Sequence, residues 1–202
     1  MATCKARWAV ALAVTMGFAF APGSASARPD PQSGGGYPPR AHVLSYQYEK
    51  QAAPHWCSAA SARIALSGRG NAVSQATLAR ELGLGPASAR GPGLRGIDKL
   101  ANTLNEHVPG GHYQVKQPSS SELPAKLAAD VRYDIDHNLA VVINVNRIGD
   151  VVFKPGHYAA IVGYRANAGE YLVADPSNTV RQHLWLSART VVSGIKLNRY
   201  VA

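Results

Sequence analysis

The 202-residue sequence predicts an α+β fold: two packed lobes, with N-terminal helices set against a C-terminal antiparallel sheet. Three observations predict it. Apolar residues recur at three- and four-residue intervals up to about residue 138. Beyond that point they gather into short β-rich runs separated by turn residues. The composition, with 46% hydrophobic and 16% charged residues, is that of a globular chain and excludes disordered, collagen-like and coiled-coil classes.

The elements follow in chain order. Lys5 and Arg7 precede an uncharged stretch from Trp8 to Ala21, then Pro22, Gly23 and the small residues Ala25-Ser26-Ala27. That order is the pattern of a secretory signal peptide, residues 1–27, with cleavage expected after Ala27. Its 14 apolar residues are too few for the roughly 20 that span a bilayer. Residues 28–41 (RPDPQSGGGYPPRA) read as a Pro/Gly-rich linker, and residues 42–202 as one domain.

Within that domain Ser58–Ser67 is rich in helix formers and ends at Gly68. Ser74 caps a second helix that stops at Gly83. Ile97, Leu100 and Leu104 mark a third helix. Leu123, Leu127, Val131 and Ile135 mark a fourth, started by serines 119–121 and closed near Asn138. Residues 139–146, 151–153, 157–164 and 170–175 read as strands, with 184–186 and 195–201 as further candidates.

Signal cleavage removes two of the 21 basic residues and none of the 12 acidic ones, so a net charge of +9 becomes +7. It also removes Cys4 and leaves Cys57 as the only thiol. A single cysteine in an exported chain cannot close an internal disulfide, so it is an intermolecular link, a buried filler or a reactive group. Cys57 stands at the start of the first predicted helix, where free N–H groups and the helix dipole favour a thiolate and can receive an oxyanion. Gln51, six residues earlier, is a candidate second oxyanion donor. His157 opens one strand and Asp175 ends the next. If residues 165–169 form the hairpin loop between them, paired positions sum to 334 and Asp175 faces Ala159. His157 and Asp175 are then diagonal neighbours on one face, and the carboxylate can orient the imidazole toward the thiol.

Gln51 and Cys57, Gly156-His157-Tyr158, Ile161-Val162-Gly163-Tyr164 and Ala174-Asp175-Pro176 together resemble the papain-like cysteine peptidases of the bacteriocin-processing type, also called double-glycine or C-thirty-nine-like peptidases. The resemblance covers roughly residues 42–200. It implies a papain-like fold, with Cys57 as nucleophile, His157 as base, Asp175 orienting the histidine and Gln51 completing the oxyanion hole. The family usually has Gly-Pro-Ala after its cysteine, whereas this chain has Ser58-Ala59-Ala60. Trp56 and Ser58, which flank the nucleophile, are candidate substrate contacts.

Other chemistry is weaker. Gly91-Pro92-Gly93-Leu94-Arg95-Gly96 spells G-x-G-x-x-G but follows a helix and a loop rather than a strand, so it is read as a loop beside the cleft. No histidine spacing fits a metal site, and no metal or other cofactor is expected. His55 either lines the site or is exposed, while His107, His112 and His183 are expected at the surface without acidic partners. There is no G-x-S-x-G elbow and no convincing carboxylate dyad. The scattered cations make nucleic acid an unsuited partner, although weak association with an anionic cell envelope fits them. The expected protein is thus a secreted, monomeric cysteine hydrolase acting on a peptide or protein amide, with no integral membrane segment after signal cleavage. An acyl or peptidyl transferase, an envelope amidase and a catalytically silent binding or inhibitor module are the alternatives, the last being the one in which Cys57 is dispensable.

Overall fold

The computed structural model describes residues 41–165, 169–177 and 182–202. The expected signal peptide, all but the last residue of the expected linker, and most of the expected 165–169 loop lie outside the described residues.

The elements run β1 (Ala41–Val43), α1 (Cys57–Ser67), α2 (Gln75–Glu81), α3 (Ile97–Glu106), β2 (Val115–Lys116), α4 (Leu123–Asp136), β3 (Val141–Ile148), β4 (Val151–Arg165), β5 (Glu170–Ala174), β6 (His183–Ser187), α5 (Ala188–Gly194) and β7 (Ile195–Val201). The α+β class holds, with four of the five helices among the described residues ahead of the main strands. The sheet is antiparallel in the order β2-β7-β3-β4-β5-β6, and β1 pairs with the far end of β4.

α1 is buried at every residue except Arg63, which pairs with Glu49. Its small residues let it pack closely on β4, itself buried without a break from His157 to Tyr164. Larger side chains fill the rest of one continuous core, among them Ile64, Leu100, Leu127, Ile143 and Tyr200, each nearly or wholly inaccessible. Burial of each such side chain contributes about 1.5–3 kcal/mol. α2 begins as expected: the Ser74 hydroxyl accepts the Thr77 N–H, and Gly83 beyond its end has a φ of 68°. Gly163 has a packing role. A Cβ there would sit 2.7 Å from the His42 carbonyl oxygen, so only glycine lets β1 close on β4.

Some elements differ from expectation. Segments 151–153 and 157–164 form a single strand, because Lys154-Pro155-Gly156 reads as a turn yet stays extended inside a bulge of β4. β1, β2 and α5 were not expected. α5 carries the β-branched run Thr190-Val191-Val192 and is started by the Ser187 hydroxyl, which accepts the Thr190 N–H. The left-handed residue after α1 is Gly70, whereas Gly68 remains right-handed.

Candidate active site

Cys57 is the first residue of α1, and Trp56 before it supplies no side-chain cap. The first-turn N–H groups therefore remain available beside the side chain of Cys57, a residue 8% exposed that lines a cleft of about 930 Å³.

His157 lies on β4 opposite Val145 of β3. From that pair to Arg147–Val152 the ladder slips, so that one residue of β3 faces residues 153–156 of β4. Such a bulge re-aims side chains. Here it folds Phe153 back over the imidazole, with ring centroids 4.3 Å apart and planes 15° from parallel.

Asp175 follows directly after β5. Its Oδ1 accepts a hydrogen bond from His157 Nε2 at 2.7 Å and from the Ser177 N–H at 2.9 Å. The Ser177 hydroxyl lies 2.8 Å from both carboxylate oxygens. With Nε2 committed to the carboxylate, Nδ1 is left for Cys57, which lines the same cleft and acts on the charge of the ring. The turn that carries the carboxylate is tied to the segment before α1. The Tyr48 hydroxyl donates to the Asp175 carbonyl at 3.0 Å and the Gln51 N–H to the Pro176 carbonyl at 2.8 Å.

The electrostatics follow from these contacts. Burial alone would lower the pKa of His157, but the hydrogen bonds and charges of Asp175 and Cys57 outweigh it and push the ring up to about 9. Burial would raise Asp175, yet His157 and Ser177 together hold it below its ordinary value. At neutral pH an imidazolium therefore sits between a carboxylate and a sulfur.

The strand arithmetic holds where the site needs it. Ala160–Ala174 and Ile161–Val173 sum to 334, which leaves Asp175 on the face of His157. Nearer the loop the pairs sum to 335, because β4 is bulged between Ile161 and Gly163 and Arg165 pairs with Glu170. The expected loop is one residue too long and the bulge restores the register, so two errors cancel.

Gln51 lines the cleft with Cys57 and His157, but its Nε2 donates to the carbonyls of Ala53 and Pro54, both at 2.9 Å. Trp56 and Ser58, expected as substrate contacts, do not line the cleft. Trp56 is buried and its Nε1 donates to the Gly85 carbonyl at 2.9 Å, while Ser58 has no exposed surface. Ala59 and Ala60 are equally inaccessible, so the departure from the family's Gly-Pro-Ala falls in the core. His55 lines the cleft, the first of its two expected readings, and is buried rather than exposed, its Nε2 meeting the Gly85 carbonyl at 3.1 Å. His107 and His112 do have acidic partners, Glu81 and Asp134, each at 2.9 Å. Residues Arg90–Gly93 line the cleft, as the loop reading of the G-x-G-x-x-G segment expects.

Sequence reasoning missed Ser177 and Phe153. Asp-Pro-Ser is a turn signal in which the serine returns to the aspartate, and it could have been used. Phe153 gave no signal, since residues four apart on a straight strand are about 13 Å from each other.

Among the described residues, no group of three or more His, Cys, Asp or Glu side chains is placed to hold a metal ion, and no helix is long and apolar enough to cross a membrane.

Comparison with known proteins places this geometry in context. Residues 43–193 match the model of the Peptidase C39-like family. Among solved structures, the fold resembles that of a double glycine motif protease from AMS/PCAT transporter, crystallised in complex with the leader peptide. The TM-score is 0.53 at 10% identity, over 79% of this chain and 91% of that one. No curated protein matches the chain in sequence.

Proposed function

The chain belongs to the Peptidase C39-like family of cysteine peptidases, and from that premise we propose that it is an exported peptidase working through Cys57, His157 and Asp175 on a two-lobed, papain-like fold. The observation that carries this reading is the buried His157–Asp175 pair set on the same cleft as Cys57 at the start of α1.

In the proposed reaction the Cys57 thiolate attacks the carbonyl carbon of the scissile amide. Protonated His157 delivers its Nδ1 proton to the leaving amine, and the carbonyl carbon stays bonded to sulfur as a thioester. Water, deprotonated by the now neutral ring, attacks that thioester and releases the acid and the thiolate. Asp175 touches no reacting atom in this scheme and acts by holding the ring and favouring its charged form. First-turn N–H groups of α1 and the Gln51 amide stabilise the oxyanion, Gln51 exchanging one of its carbonyl partners for the substrate oxygen. Replacing Gln51 with Ala then lowers kcat by about 10²–10³, the usual cost of one such donor.

A peptide substrate is supported by the cleft's size and by the leader peptide bound to the structurally similar protease. Export, with removal of residues 1–27, rests on the signal-peptide pattern. The test is a pair of measurements on the protein lacking residues 1–27. Iodoacetamide at neutral pH should alkylate Cys57 faster than free cysteine, and Cys57→Ala should lower kcat/KM on a cleaved peptide by at least about 10⁴. An ordinary labelling rate together with activity that survives Cys57→Ala would return the chain to the silent binding module.

A further inference from the structure

The cleft is lined on several sides by cations that form no ion pair among the described residues. Lys50, Arg90 and Lys154 reach it from three segments, all three are exposed, and none of their side chains has a hydrogen-bond or ion-pair partner among the described residues. No aspartate or glutamate lines it. Of the acidic residues around it, Glu49 is committed to Arg63 and Gln75, Glu81 to His107, and Asp175 to His157 and Ser177, while the exposed Asp98 and Asp150 do not line it. A second groove of about 450 Å³ shares the Arg90–Gly93 wall with the cleft, adds Arg95 and Lys99, and also lacks an acidic lining residue. A cationic track thus runs from the nucleophile along the loop between α2 and α3.

We infer that the peptidase is selective for acidic peptides, with carboxylates flanking the scissile bond held by Lys50, Arg90 and Lys154, and the chain continuing beside Arg95 and Lys99. The inference rests on the peptidase reading and adds the substrate class to it. Charges of one sign in a cleft focus the field there and raise the local concentration of the opposite charge. Each exposed pair is individually weak, so the effect comes from several acting together and is sensitive to salt. It falls mainly on KM, because none of these cations contacts the reacting atoms.

The test uses three fluorogenic peptides sharing one scissile bond and flanked by Glu, Gln or Lys. At low ionic strength the Glu peptide should have roughly tenfold higher kcat/KM than the Gln peptide, carried by KM and shrinking to about twofold at 0.5 M salt. The combined Arg90→Glu and Lys154→Glu variant should invert the order, so that the Lys peptide becomes the best substrate. Binding of the same peptides to Cys57→Ala, read by fluorescence anisotropy, measures the preference without turnover and should follow the same order. Equal cleavage of the Glu and Gln peptides overturns the charge preference and leaves the peptidase standing. Failure of all three to be cleaved, with ordinary labelling of Cys57, counts against the peptidase reading. Equal binding of all three to Cys57→Ala overturns the charge preference in that case as well.

Discussion

His157–Asp175 and His112–Asp134 are built alike. Each joins a ring Nε2 to a carboxylate Oδ1, at 2.7 and 2.9 Å, and each has an aromatic ring stacked on the imidazole, Phe153 in one and Tyr133 in the other. Their surroundings differ. Asp175 is backed by the N–H and hydroxyl of Ser177, whereas Asp134 keeps a buried Oδ2 that no partner meets among the described residues. Burial therefore wins at Asp134 and pushes it up to about 6 against the pull of His112, while the added donors hold Asp175 down. The His112 side chain is also 26% exposed and has no thiol beside it, against 5% for His157. A histidine–carboxylate pair is thus not a site in itself. The donors behind the acid and the nucleophile before the base give it chemistry.

The largest predicted effect breaks the likeness outright. His157→Ala should lower kcat by about 10³–10⁶, the range found when a member of a catalytic unit is removed. His112→Ala should leave kcat within about twofold, because the ring lies outside the cleft. It should instead cost about 1–3 kcal/mol in urea unfolding, since the buried Asp134 loses its partner. A comparable loss of activity in both variants would mean that the second pair takes part in the chemistry.

The two acids should separate next, through pH. Activity requires protonated His157, so kcat/KM should fall as pH rises through about 9. Asp175→Asn can still accept the Nε2 hydrogen bond but removes a negative charge. It should cost roughly tenfold in kcat/KM and move the alkaline limb down by about one unit. Asp134→Asn should leave that limb in place and act on stability alone. The native pKa of Asp134 lies above its ordinary 3.8, so the native state binds the proton more readily between 3.8 and about 6. This group's contribution to stability therefore declines as pH rises through that window and is level above it, by up to about 3 kcal/mol. Asp175, held low, contributes in the opposite direction: its stabilisation is present above 3.8 and is lost as pH falls through its native value. Urea unfolding of wild type and Asp134→Asn from pH 4 to 7 measures the difference.

How much of this was legible follows from which interactions are local. The four helices ahead of β3 were readable because their apolar rhythm and turn signals lie within a few residues of one another, as at Ser74 and Thr77. His157 and Asp175 could be paired because a hairpin is almost local and alternation fixes the face, even though the loop was one residue too long and the bulge near Val162 was unseen. The 153–156 bulge could not be told from a turn, since Lys154-Pro155-Gly156 fits either and only the pairing of β3 on both sides of it, Val145 with His157 and Arg147 with Val152, makes it a bulge. His112 and Asp134 are 22 residues apart, and nothing near either residue announces the other. Trp56 and Ser58 were misread as substrate contacts because adjacency to a nucleophile was taken for exposure. Successive residues at a helix start point about 100° apart, so the neighbours of an exposed group face the core.

The stacked rings give the smallest effect and the finest distinction. Phe153 lies 4.3 Å from His157, nearly parallel, with its π-face against a ring that is charged at neutral pH. An aromatic face favours a cation by about 0.5–2 kcal/mol and excludes water from it. Phe153→Leu keeps apolar bulk but removes that face, so the imidazolium should lose its proton more easily. The alkaline limb is expected to move down by a few tenths of a pH unit, with kcat/KM reduced about two- to fivefold. Tyr133 is 6.0 Å from His112 and sits closer to His137, at 4.2 Å, on an exposed helix face. Tyr133→Leu should therefore change neither quantity. A shift of equal size in both variants would mean that the ring acts through general packing, whereas a shift confined to Phe153→Leu makes it a positioning residue for the charged imidazole.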